Sequence, residues 1–177
     1  MTDTLQKLFD DTVKDLYNAE KQFLKAMPKM AKAATNPQLK TAIADHIKQT
    51  EGHVTRLEEV SKFLEIKPTG KVCKAAQGLV EEAQEHLEEV APGPVLDAAI
   101  IVCAQKNEHY EICSYGTLIA WATQLGLNSI VPLLQQTLDE ETAANDGLSK
   151  VATGAVNEEA DAAKPKAPAA KGKASLK

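Results

Sequence analysis

Residues 5–34 read LQKLFDDTVKDLYNAEKQFLKAMPKMAKAA, and the spacing of their apolar positions decides the fold class. Leu5, Leu8, Phe9, Thr12, Leu16, Phe23, Leu24, Met27 and Met30 recur in steps of three and four, which is the pattern of one helix face and not of a strand. The stripe predicts a helix to about Ala34. Asn36-Pro37 then reads as a second helix start, because Asn caps free amides and Pro in a first turn gives up no helical hydrogen bond. So short a link makes the two helices antiparallel.

The same pattern repeats outward along the chain. Leu39, Ile43, Ile47, Val54, Leu57 and Leu64 carry the second helix to the breakers Ile66-Lys67-Pro68-Thr69-Gly70. A shorter third helix is expected from about Val72 to Val90, ending at Ala91-Pro92-Gly93-Pro94. A fourth runs from about Val95 to Leu125, where Gly126 stops it. Asn128-Ser129 is expected to cap a fifth helix reaching about Val151. Four long helices with a short one between the pairs predict an all-α fold: a ferritin-like four-helix bundle with an additional short crossover helix, over residues 1–156.

From Asn157 the chain reads NEEADAAKPKAPAAKGKASLK, a segment too poor in large apolar residues to offset its ordering entropy, so residues 157–177 are expected to be a disordered Lys/Ala/Pro-rich tail. Residues 160–177 carry five Lys and one Asp, or +4, which leaves −9 on residues 1–159 of a chain whose net charge is −5. An acidic body argues against a nucleic-acid binder; only the tail, through Lys164, Lys166, Lys171, Lys173 and Lys177, offers phosphates a weak contact. The start, MTDTLQKLFDD, has no signal-peptide pattern and no apolar run could cross a bilayer, so a cytoplasmic protein is expected. Cys73, Cys103 and Cys113 lack metal-type spacing and read as buried thiols. No phosphate loop or nucleophile elbow is present.

Polar residues interrupt the apolar stripes in all four long helices. Glu20 follows Leu16 by four and precedes Phe23, so it falls on the buried face, where a carboxylate needs a cation or a hydrogen-bond network. His46, Gln49, Thr50 and His53 form a ladder on the second helix; His46 and His53 differ by about 20° around a helix turning roughly 100° per residue. Glu108 and Glu111 stand one turn apart on the fourth helix. On the fifth, Glu141 and Asn145 recur along the inward stripe, and Glu140 falls outward.

DLYNAEKQFLKAMPKMAKAA, HIKQTEGHVTRLEEV, AQKNEHYEICSYGTL and LLQQTLDEETA together resemble the YciF/YciE-type family of ferritin-like bacterial stress proteins, across about residues 3–152. The resemblance implies a rubrerythrin-like bundle, a homodimer, a link to stress and a metal centre. Ferritin-like di-iron proteins supply one Glu from each of two helices and Glu-x-x-His from the other two. Glu20 matches a lone Glu, and Glu108 with Glu111 resembles paired rubrerythrin acids. Both Glu-x-x-His motifs are missing: the second helix offers Gln49 with His53, and Glu141 is followed three residues on by Ala144.

Two readings follow. In one, Glu20, His53, Glu108 and Glu141, with Gln49, His46, Glu111 and Asn145 in or beside the same shell, bind iron or manganese more weakly than a full carboxylate set would, for storage or detoxification. In the other, the same residues form a metal-free polar core that fixes helix register in a non-catalytic dimeric structural or interaction protein.

Overall fold

The structure, a computed structural model, describes residues 2–163. Five helices dominate: α1 (Leu5–Ala33), α2 (Pro37–Phe63), α3 (Lys74–Glu89), α4 (Pro94–Gln124) and α5 (Val131–Val151). Thr4 caps α1 through Oγ1, and Asn36 Oδ1 accepts from the amides of Gln38 and Leu39 to start α2. Gly126, at φ 74°, turns the chain out of α4. The helix-forming breaks therefore fall where the apolar periodicity changes phase.

The α1–α2 and α4–α5 hairpins pack through α1 on α4 and α2 on α5, which closes a four-helix ring around one core. Short α3 lies across α1 and α4 as part of the long link between the hairpins. Asp97 fixes how the hairpins meet. Wholly buried in the first turn of α4, it accepts from Thr35 N (2.6 Å), Thr35 Oγ1 (2.5 Å) and Asn36 N (2.9 Å) in the α1–α2 turn. The start of α4 thus lies at the end of α1, and the two helices run antiparallel.

Several expectations need correction. The core face of α1 is Phe9, Val13, Leu16, Glu20, Phe23, Met27 and Met30, whereas Leu8 is exposed and Thr12 only half-buried. Asn128-Ser129 does not cap α5: these residues lie in a turn, and the helix starts at Val131 behind Ile130 with Pro132 in its first turn and no side-chain cap. Order also continues past Asn157. A π-helical turn, Ala152–Val156, leads from α5 into a short α6 (Asn157–Ala162), and the buried Val156 anchors it. The rest of the expected tail, residues 164–177, lies outside the described residues. Cys73 and Cys103 are buried as expected, but Cys113 is exposed. Among the described residues no helix is long and apolar enough to cross a membrane.

Candidate metal centre

Each long helix sends polar side chains inward at one level of the bundle. Glu20 (α1), His53 and Thr50 (α2), Glu108, Glu111 and Tyr115 (α4), and Glu141 (α5) are wholly buried, with His46 barely exposed. Two sets of donors form. His46, Glu108, Glu111 and Glu141 each place a ligand atom within 4.8 Å of the others, and so do Glu20, His53 and Glu141. Glu141 belongs to both sets. Its Oε1 is 2.7 Å from His53 Nδ1, and its Oε2 is 3.4 Å from His46 Nε2, which is also 3.4 Å from Glu108 Oε2.

These contacts are close but poorly aligned. Glu20 Oε2, His53 Nδ1, Glu108 Oε2 and both oxygens of Glu141 are buried with no hydrogen-bond partner. Such orphaned groups are rare in folded proteins unless an ion or water completes them. The donors are carboxylate oxygens and imidazole nitrogens, the types that suit divalent iron and manganese. The residues present therefore fit a two-cation site, with Glu141 the shared ligand.

The electrostatics agree. Burial, then the neighbouring Glu141 and Glu20, push the Glu108 carboxyl well above its ordinary range, and burial with the charges of Glu141, Glu20 and Glu108 does the same to Glu111. Burial would lower the His53 imidazole, but Glu141 and Glu20 overcome it and push it up to about 10. Burial likewise opposes the ionised Glu141, yet His53 beside it keeps it below the usual carboxylate range. Protons held on the α4 acids and His53 offset most of the cluster's negative charge.

Of the predicted donors, six converge: Glu20, His46, His53, Glu108, Glu111 and Glu141. Gln49 is exposed, and its Oε1 lies 3.2 Å from His46 Nδ1, so it orients that ring from the rim. Asn145 is engaged elsewhere, accepting from Gln105 Nε2 at 3.2 Å. The residue three before His53, which holds the Glu position of a Glu-x-x-His motif, is buried Thr50 and not Gln49.

Three residues escaped the sequence reading. Tyr115 Oη donates to Glu20 Oε1 at 2.5 Å; burial and Glu20 push its phenol pKa up, so it stays a donor. Its spacing of four from Glu111 was the available signal. Glu140, expected to point outward, instead faces His53 Nε2 at 3.0 Å and pairs with Arg56, whose Nε donates to Thr137 Oγ1 at 2.8 Å. A cavity of about 230 Å³ opens against the His46 and Glu108 side of the centre.

A four-helix bundle with a crossover helix and an interior carboxylate–imidazole centre is a ferritin-like protein. The chain belongs to the family described as Domain of unknown function (DUF892), which matches residues 4–161. It is 40% identical over 159 residues to Protein YciF of Escherichia coli (strain K12), covering 89% of this chain and 96% of that protein. The crystal structure of the E. coli stress protein YciF superposes with a TM-score of 0.84 over 89% of this chain and 99% of that one, at 40% identity. YcfI from Rhodopseudomonas palustris gives 0.81 at 46% identity, over 83% and 94% of the two chains. A Xanthomonas campestris protein at 18% identity and a TM-score of 0.73, over 90% and 98%, shares the fold alone.

Proposed function

We propose that this is a bacterial stress-response protein whose interior binds divalent iron or manganese, for storage or detoxification. One observation carries the metal reading: Glu141 is common to both donor sets, and both its buried oxygens lack a hydrogen-bond partner. The stress role rests on the likeness to E. coli YciF, described as a stress protein. Glu20, His53 and Glu141 would hold one cation, and His46, Glu108, Glu111 and Glu141 the other. Bound iron or manganese would supply Lewis-acid or one-electron chemistry there. The chain itself contributes a water-poor interior, the Tyr115 and Glu140 hydrogen bonds that orient Glu20 and His53, and carboxyls that exchange protons for metal. In this reading the protein works as a homodimer in the cytoplasm.

The test is metal titration of chelator-treated protein, followed by thermal unfolding and metal analysis. Fe2+ or Mn2+ should raise the melting temperature of the parent, and Glu141→Ala should abolish that rise while remaining folded. A parent melting temperature indifferent to both metals would return the centre to a metal-free polar core.

A further inference from the structure

Thr50 and Ala144 occupy the two register positions at which the ferritin-like pattern carries a Glu and a His. Both line the cavity of about 230 Å³ beside the metal centre, so small side chains stand where ligand bulk would otherwise fill the interior. Gly147 of α5 lines it too, and a Cβ built there meets nothing within 4 Å. Exposed Gln49 of α2 and exposed Ala143 of α5 belong to the same lining, so the chamber opens to the surface between these two helices. Deeper in, its walls are apolar, formed by Phe23, Met27, Met30 and Leu148.

Three uncharged polar side chains line the chamber, and two of them are engaged. Gln49 Oε1 lies 3.2 Å from His46 Nδ1, and Thr50 Oγ1 donates to His46 O at 3.0 Å. Asn107 is the third. Its Oδ1 is buried without a hydrogen-bond partner, on a residue only 6% exposed. A buried carbonyl of this kind is unfavourable until a donor reaches it. The terminal torsion of an asparagine is broad, so a small rotation turns this oxygen to the chamber that the residue lines. The ionisable groups of the lining, His46, Glu108 and Glu111, belong to the metal centre, whereas Asn107 carries no charge at any pH.

Volume and this one acceptor together define a ligand. Dry cavities of about 150 Å³ in other proteins accept benzene, so a single aromatic ring fits here with room for a substituent. Thioethers such as those of Met27 and Met30 pack favourably against a ring edge. The substituent must donate, to meet Asn107 Oδ1. It must also be uncharged, because apolar walls do not compensate a charge stripped of its water.

We propose that the chamber binds a small uncharged ring compound bearing one hydroxyl, a phenol in class, with its ring against Phe23 and the two methionines and its O–H donated to Asn107 Oδ1. The inference goes beyond the metal reading and does not depend on it. Its test therefore uses the full-length chain at pH 7 with chelator present throughout.

Isothermal titration with phenol, and with toluene, which replaces the hydroxyl by a methyl of similar size, separates the hydrogen bond from the walls. Phenol should bind saturably, one per chain. Asn107→Leu should weaken phenol about 10-fold relative to toluene, because only phenol loses a partner. Gly147→Leu should abolish binding of both by filling the chamber, with circular dichroism confirming the fold. Asn107→Ala and Ala144→Phe are the second variants of each kind, should either of the first fail to fold. No saturable binding of phenol by the parent, an unchanged ratio of the two affinities in the folded Asn107 variant, or unchanged phenol binding in a folded filler variant would each overturn the assignment.

Discussion

Glu140 shows what a single side chain does in this interior. A helix-face argument sends it outward, one position before the buried Glu141, and by that argument its removal should matter little. In the folded chain its carboxylate lies 3.0 Å from His53 Nε2 and pairs with Arg56, because a long flexible acid at the face's edge can reach back over the neighbouring helix. Burial opposes its ionised form, but the hydrogen bonds from Gln136, Arg56 and His53 outweigh that and hold its carboxyl below the ordinary range. Glu140→Ala should therefore destabilise the metal-free protein by about 1–3 kcal/mol, the cost of leaving buried His53 Nε2 without a partner. It should also weaken metal binding about 10- to 100-fold, since the carboxylate behind a ligating imidazole fixes its orientation. Denaturant titration and metal titration read the two effects, and a neutral variant would return Glu140 to the surface role its position suggests. Tyr115→Phe is the companion case: it strips the Glu20 Oε1 partner at 2.5 Å, and should likewise cost about 1–3 kcal/mol. The inward Glu and His positions were legible because they interrupt an apolar stripe; the partners orienting them were not, because reach across a helix pair leaves no periodicity.

At the scale of elements, the joints between helices decide how the bundle closes. Asp97 draws three hydrogen bonds from the α1–α2 turn into the first turn of α4, where an anion also meets the positive end of the helix dipole. Asp97→Ala frees two backbone amides that have no other partner of this strength. It should cost about 3 kcal/mol, a fall of about 6–12 °C in melting temperature for a domain of this size. A fall below about 2 °C would show that the turn stands without it. Asp97→Asn should recover part of the loss by keeping one acceptor. The α1–α2 joint was visible in advance through Asn36-Pro37, since both residues act locally. The start of α5 was not. Asn128-Ser129 has the composition of a cap, yet Gly126 turns the chain back so that Leu127 N reaches Ala122 O at 2.8 Å and Ile130 N reaches Leu127 O at 3.2 Å. Backbone bonds in that turn occupy the positions a side-chain cap would use. The continuation through the π-helical turn was equally hidden, because it depends on Val156 finding a buried seat more than on the polar residues around it.

Across the whole molecule, the charge question lies in the centre, where four carboxylates stand against two imidazoles and the imbalance is offset by protons or by metal. His53, pushed up to about 10, and Glu108 and Glu111, pushed well above the ordinary carboxylate range, hold protons in the folded state that the unfolded chain releases. A group whose folded pKa is raised contributes stability that is complete below its unfolded pKa and is lost as pH rises through the folded value. The window opens near the ordinary carboxylate pKa for the two acids and runs from about 6.5 to 10 for His53. The metal-free protein should therefore melt at a lower temperature at pH 9 than at pH 6. Metal reverses the sign. A divalent cation replaces those protons, so its affinity rises with pH, and a ligand confined to the native state adds stability by mass action, about 2.7 kcal/mol at 100 times its dissociation constant. The rise in melting temperature on adding a fixed excess of Mn2+ should thus be larger at pH 8 than at pH 6, and absent at both in Glu141→Ala. Equal rises at the two values would place the metal on surface acids such as Asp139 or Glu81 and would remove the bundle interior from the account.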